Sequence, residues 1–179
     1  LVILTAGLLA PHLTVNRLAR RVRESLETAL GRKVELGEVH LNLFTGPGFS
    51  VSRVVIHEDP RIGLEPAAYI SSLEARVRFR SLWAGRLEFS NLRLSEPSIN
   101  LAKPASGGWN FEPLLTRTVG AVAQAGPRFP SIQVRGGRIN FKFGEVKAVY
   151  YLLDPEVDIS PPAAQDGAWR FRFSGEPAR

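Results

Sequence analysis

The chain has neither cysteine nor methionine among its 179 residues. Without cysteine there is no disulfide, no thiolate zinc site and no thiol nucleophile. Without methionine there is no initiator residue at position 1, and the chain reads as a fragment or a processed product. Histidine is nearly as scarce: His12, His40 and His57 lie far apart, and each reads as a solvated side chain rather than a metal ligand. Glu58-Asp59 offers fewer oxygens than a hard cation needs. Ser50, Ser71 and Ser72 have no base at a recognisable spacing. The turn Thr45-Gly46-Pro47-Gly48 lacks the lysine and the following helix of a phosphate loop. No enzyme is expected, and no cofactor or metal.

Negative charge is also in short supply. Lysine and arginine number 23 against 17 carboxylates, a net charge of +6. That balance favours anionic partners, or is simply a basic solvated surface. Hydrophobic residues make up 44% of the chain, enough for one domain with a real core.

Residues 1–13, LVILTAGLLAPHL, are almost wholly apolar. A spanning helix needs about 20 such residues. The run is therefore the end of a membrane anchor, the apolar part of a signal peptide, or a buried helix. It passes through Pro11 and His12 directly into another helix, which favours the anchor. That next helix has Thr14 or Asn16 as its cap. Leu18, Val22, Leu26 and Leu30 form its apolar stripe, and Gly31 is its left-handed stop. Arg17, Arg20, Arg21 and Arg23 lie on the opposite face, turned to water or to a membrane surface.

From Lys33 the pattern is nearly all strand. Leu73, Ala75, Val77 and Phe79 alternate with Glu74, Arg76, Arg78 and Arg80, the period of a half-buried strand. Leu87 and Phe89, then Leu92 and Leu94, continue in a second strand. The alternation slips at Gly37-Glu38, Ser52-Arg53 and Ser90-Asn91, which predicts bulges and strong twist. A short helix is expected over Pro113–Ala123. Gly136-Gly137 predicts a hairpin joining Ile132 and Val134 to Ile139, Phe141 and Phe143. No strand alternates with a long helix, so a parallel βαβ arrangement is not expected. The basic strand face of Arg76, Arg78, Arg80, Arg86 and Arg93 carries no aromatic residue on which bases would stack, which argues against nucleic acid.

The expected class is α+β, mostly β: an N-terminal helix against a strongly twisted antiparallel sheet. Residues 1–13 are expected to form the end of a transmembrane anchor, and 14–115 the helix and first part of the sheet. Residues 116–130 form a linker or mobile loop, and 131–179 continue the sheet.

Several segments, in order, resemble the N-terminal region of the AsmA family. They are Gly31–Gly37 (GRKVELG), the glycine-proline turn at 46–48, Leu82–Glu88 (LWAGRLE) and Leu92–Leu101 (LRLSEPSINL). Gly107–Leu115 (GGWNFEPLL) is similar to the family's G-x-W-N-(F/W)-x-x-L-L segment, and Ile132–Phe143 to its glycine-turn hairpin. The resemblance covers nearly the whole chain. It implies a protein held in the bacterial inner membrane by one N-terminal helix, with its bulk in the periplasm. It also implies a chorein-like start, as in bridge-like lipid transfer proteins, and a sheet that curls into an open, apolar-lined groove, a β-taco. The family is implicated in phospholipid movement between inner and outer membrane and in outer-membrane biogenesis, and has no established catalytic residues. This chain is much shorter than the usual member. On that reading Leu73, Val77, Phe79, Leu87, Phe89, Leu92 and Leu94 line a groove for phospholipid acyl chains, the counter-reading being an ordinary core. The alternative function is a structural or assembly factor that binds outer-membrane proteins or other envelope proteins through a sheet edge.

Overall fold

The computed structural model describes residues 16–179 except 18, 25, 29, 43–46, 79, 81–87, 106, 113–127, 145 and 165–166. The expected anchor at 1–13, the helix expected over 113–123 and most of the linker expected over 116–130 lie outside the described residues, as do Phe79 and Leu87. Among the described residues no helix is long and apolar enough to cross a membrane.

The described residues between 16 and 30 are helical and form α1. It ends as its glycine predicts: Gly31 has φ +62° and donates its N–H to the Glu27 carbonyl at 2.8 Å. Val22 is buried, and Leu26 and Leu30 pack beside it on the sheet. Arg17, Arg20, Arg21 and Arg23 are exposed.

Among the described residues nine strands follow: β1 (Val34–Leu36), β2 (Val39–Asn42), β3 (Gly48–Ile56), β4 (Ala68–Val77), β5 (Phe89–Lys103), β6 (Ser131–Arg135), β7 (Arg138–Phe143), β8 (Val146–Ser160) and β9 (Arg170–Ala178). All belong to one sheet. Its core lies under α1, where Val34, Phe49, Val51, Val54, Ile70, Leu73 and Ala75 are buried together.

The sheet is mixed rather than antiparallel throughout. β3, β4 and β5 form an antiparallel meander, but β6 and β7 both run parallel to β5. Parallel neighbours need a crossover of a dozen or more residues. The chain between the end of β5 at Lys103 and the start of β6 at Ser131 is long enough for one.

The expected hairpin at Gly136-Gly137 is not formed. β6 and β7 are two halves of one chain pass. Ser95 pairs with Arg135 and Ser98 with Arg138, so the offset to β5 is the same on both sides of the glycines. Opposite β8 the register also carries through, from Val134↔Val157 to Arg138↔Leu153. The glycines permit a close approach. A Cβ on Gly137 would sit 2.1 Å from the Pro97 carbonyl oxygen, at φ +93°, a backbone conformation that only glycine adopts at little cost.

β1 and β2 are likewise one pass opposite β3. Gly37 donates to the Arg53 carbonyl at 2.7 Å and Ser52 to the Glu38 carbonyl at 2.9 Å across the gap between them. The nine strands are therefore seven passes, and one transverse line of irregularity crosses them. It runs through Gly37-Glu38, Arg53 (φ +79°), Ser71-Ser72, Glu96 (φ +49°), Gly136-Gly137 and Asp154 (φ +45°), and reaches β9 at Gly175, opposite the register shift between Leu153 and Glu156. The Ser71 hydroxyl donates to the Glu96 carbonyl at 3.4 Å, and the Asp154 N–H to the Gly137 carbonyl at 3.0 Å. At the line the inward-facing residue skips one place: Val51 is followed by Val54, and Ile70 by Leu73, all four buried. Two of the three predicted slips lie here. The third, Ser90-Asn91, is a bulge at the end of the β4–β5 pair, where Arg76 faces Asn91 and Val77 faces Phe89.

Candidate apolar binding face

Cross-strand partners share a face, so the register can be read as rows running across the sheet. One row is Leu41, Phe49, Ala75, Leu92, Ile132, Ile159 and Phe171. The next is Val39, Val51, Leu73, Leu94, Val134, Val157 and Phe173. Each takes one residue from every pass, and none is polar. On the opposite face lies His40, Ser50, Glu74, Arg93, Gln133, Asp158 and Arg172, with no apolar member.

Burial along the apolar rows is greatest under the helix and falls toward β9, while at the β2 edge Leu41 is 38% exposed. Phe49 and Ala75, under the helix, are 4% and 2% exposed; Phe171, at the far edge, is 71% exposed. In the second row exposure rises from none at Val51 to 59% at Phe173. Between them Leu92, Leu94, Ile132, Val134, Val157 and Ile159 are half-buried. The cause is that the helix residues Val22, Leu26 and Leu30 pack on the β1–β5 half of the face. The face continues past the helix-covered half without a change in chemistry.

Of the seven groove residues expected from the sequence, five are described, and all lie on this face. Leu73 and Val77 are buried. Phe89, Leu92 and Leu94 are half-buried and pack against the core cluster, with Phe89 edge-on to Phe49 at 5.8 Å. They sit where the covered half meets the open half. The residues that carry the face onward, Ile132, Val134, Val157, Ile159, Phe171 and Phe173, were visible in the sequence as alternating strands. Their membership of the same face was not, because it depends on cross-strand register.

Aromatic clusters flank the open half at both strand ends. Trp109 meets Phe141 and Phe143 edge-on at 6.5 and 5.6 Å. At the other end Phe129 meets Trp169 at 5.4 Å, and Trp169 stacks on Phe171 at 6.2 Å.

Beside the Trp109 end lies a cleft of about 1260 Å³ bordered by Lys33, Arg61, Leu64, Pro104 and Trp109. Its polar groups are engaged with one another. Glu58 is ion-paired with Arg32, and both side chains are nearly buried, 4% and 11% exposed. Glu58 also accepts from Asn110 Nδ2 at 2.5 Å and from the Asp59 N–H at 2.9 Å. Asn110, itself buried, accepts from the Ala102 N–H at 3.0 Å and donates to the Asn100 carbonyl at 2.9 Å. The Arg32 guanidinium closes the circuit on the Asn110 carbonyl at 2.6 Å. The Glu58-Asp59 pair is thus a structural clamp. At Asp59, two side-chain hydrogen bonds from Arg61, at 2.7 and 3.1 Å, and one from its N–H at 3.0 Å hold the carboxyl down at a pKa of about 2. His57 is hydrogen-bonded to Glu35 at 2.9 Å. Among the described residues no buried side-chain nitrogen or oxygen lacks a partner, so this cleft holds no orphaned buried group for a ligand. The unsatisfied chemistry is apolar, and it lies on the open half of the sheet. Neither a protein-family model, nor a curated protein, nor a solved structure matches this chain.

Proposed function

We propose that this chain is the lipid-handling module of a membrane-anchored, AsmA-like periplasmic protein, in which the apolar face binds phospholipid acyl chains and passes them between the inner and outer membranes. The observation that carries the reading is the pair of unbroken apolar rows that run on past the helix-covered core. An apolar face of this extent must be covered by itself, by a partner or by a ligand. Each methylene laid on it is worth ~0.8 kcal/mol, so about ten of them contribute ~8 kcal/mol before ordering costs. An acyl chain fits because it needs no polar partner, and the rows offer none. Bulges bend a strand and increase its twist, so irregularities aligned across the sheet would curl it into the groove. The ordered motifs shared with the AsmA family supply the membrane setting, with residues 1–13 as the end of the anchor.

The test is to purify the protein gently, extract it and assay for phospholipid, then repeat with Phe173→Asp and Val157→Asp. Wild type is expected to carry lipid and the folded variants to lose most of it. A folded wild type without lipid, or folded variants carrying as much as wild type, would sink the reading. A second reading, assembly of outer-membrane proteins, is favoured by one observation: among the described residues β9 pairs only with β8, leaving an edge beside exposed Phe171 and Phe173. Capture of an unfolded outer-membrane β-strand peptide by the lipid-free protein would support it.

A further inference from the structure

One end of the sheet, where β4 finishes and β5, β6 and β9 begin, carries arginines on one face and aromatic rings on the other. Its last polar row passes through Arg76, Asn91 and Ser131, and Ser160 faces Arg170 on β8 and β9. Arg128 belongs to the same end, because its carbonyl accepts from the Arg78 guanidinium at 3.4 Å. Arg76, Arg128 and Arg170 are exposed. Among the described residues no ion pair includes any of the three. The described carboxylates on this stretch are Glu74, Glu88 and Asp158, the last ion-paired with Arg135, against Arg76, Arg78, Arg80, Arg93, Arg128, Arg170 and Arg172. On the other face Trp169 stacks on the exposed Phe171 and meets Phe129 edge-on.

We infer that this end of the sheet docks end-on against an anionic phospholipid bilayer, with the Phe129–Trp169–Phe171 cluster in the headgroup layer and Arg76, Arg128 and Arg170 on the phosphates. Indole and phenyl rings settle at the boundary between headgroup and acyl chain. Guanidinium groups bind phosphate oxygens through paired N–H donors. A bilayer satisfies both because apolar and anionic layers lie a few ångströms apart, as the two faces of a strand do. Single-stranded nucleic acid fits less well. It needs rings among the cations so that bases stack while phosphates are neutralised, and here the sheet separates the two. The docking surface is the sheet end and the proposed acyl site is its face, so either reading stands without the other.

The test uses the full chain with Trp83→Phe and Trp109→Phe, leaving Trp169 as the one tryptophan. Vesicles are phosphatidylcholine with roughly one third phosphatidylglycerol, with or without brominated acyl chains. Partition is measured by sedimentation, and depth by quenching of Trp169. Bromine is expected to quench Trp169. Arg76→Gln, Arg128→Gln and Arg170→Gln together should weaken partition on the order of 100-fold, about fivefold per arginine near an anionic surface. Raising salt from about 0.1 M to about 0.5 M should weaken wild type far more than the triple variant. Any contribution of residues 1–13 is common to both proteins and cancels. If the triple variant fails to fold, Arg76→Gln and Arg170→Gln are read singly, each at about fivefold. Equal partition of variant and wild type, or Trp169 untouched by bromine, would overturn the inference. So would displacement of the vesicles by an equal charge of single-stranded oligonucleotide, which would make nucleic acid the partner.

Discussion

Gly137→Ala tests the seven-pass architecture at its tightest point. The new methyl group would meet the Pro97 carbonyl oxygen at 2.1 Å and the Pro97 nitrogen at 2.7 Å, both backbone atoms of the neighbouring strand. Neither has a rotamer to move to, so the strands must separate or the methyl must be strained. The residue would also be held at φ +93°, which costs an L-amino acid about 1–2 kcal/mol. Overpacking against an immobile neighbour adds roughly 1–3 kcal/mol. The sum, about 2–5 kcal/mol, is a large share of an ordinary domain's stability of about 5–15 kcal/mol. Gly144→Ala is the control: it sits at φ +62° with nothing within 4 Å of the added carbon, so it bears the conformational cost alone. Urea unfolding followed by circular dichroism reads both variants, with stability taken from the midpoints provided the slope is unchanged. The difference between them isolates the close approach of β5 to the β6–β7 pass. Equal losses in the two variants would refute it, and would return Gly136-Gly137 to the status of a solvent-facing turn.

Two further predictions concern the clamp and the charge pair beside it. Asn110→Ala should destabilise by about 2–4 kcal/mol, because the Ala102 N–H, the Asn100 carbonyl and the Glu58 carboxylate each lose a buried partner; a change under about 0.5 kcal/mol in thermal or urea unfolding would show the network is not closed. The Asp59 carboxyl should titrate at about 2 by carbon-13 NMR, and Arg61→Ala should return it toward 3.8. Because the folded value is depressed, the stabilisation is complete above about pH 4 and is lost as pH falls toward 2. An unshifted Asp59 would mean that the Arg61 pair does not form in solution.

What the sequence disclosed was local. Gly31 stops the helix where a left-handed cap belongs, and the alternation from Leu73 to Val77 gives β4 its two faces. The slips at Gly37-Glu38, Ser52-Arg53 and Ser90-Asn91 each mark a real irregularity. What it hid was pairing. Gly136-Gly137 looks the same in sequence whether it turns a hairpin or admits a neighbour's backbone, and Glu96-Pro97 decides between the two from another strand. The parallel neighbours of β5 were hidden because residues 104–130 carry few signals of how the chain returns. Asn110 stood out only as part of a motif, since its partners Glu58 and Arg32 lie 52 and 78 residues away. Arg78, expected beside Arg76 in solvent, is half-buried and donates to the carbonyls of Phe89 and Arg128. The candidate face was half legible: its β4–β5 part followed from alternation, and its extension across β6–β9 needed register.

The transverse line also fixes where this chain can change length. Every pass crosses it once, and the rows on either side are counted from that crossing. One residue inserted between the line and a strand end, for example between Pro97 and Leu101, would reverse inside and outside for the remainder of that pass. Polar side chains would then break an apolar row in the middle of the sheet. An insertion in the connections beyond the strand ends leaves every row intact. The line thus acts as a shared origin for two half-sheets on the same seven strands. Length variation is confined to the outer connections, where the proposed membrane contact lies at one end and the Glu58 clamp at the other.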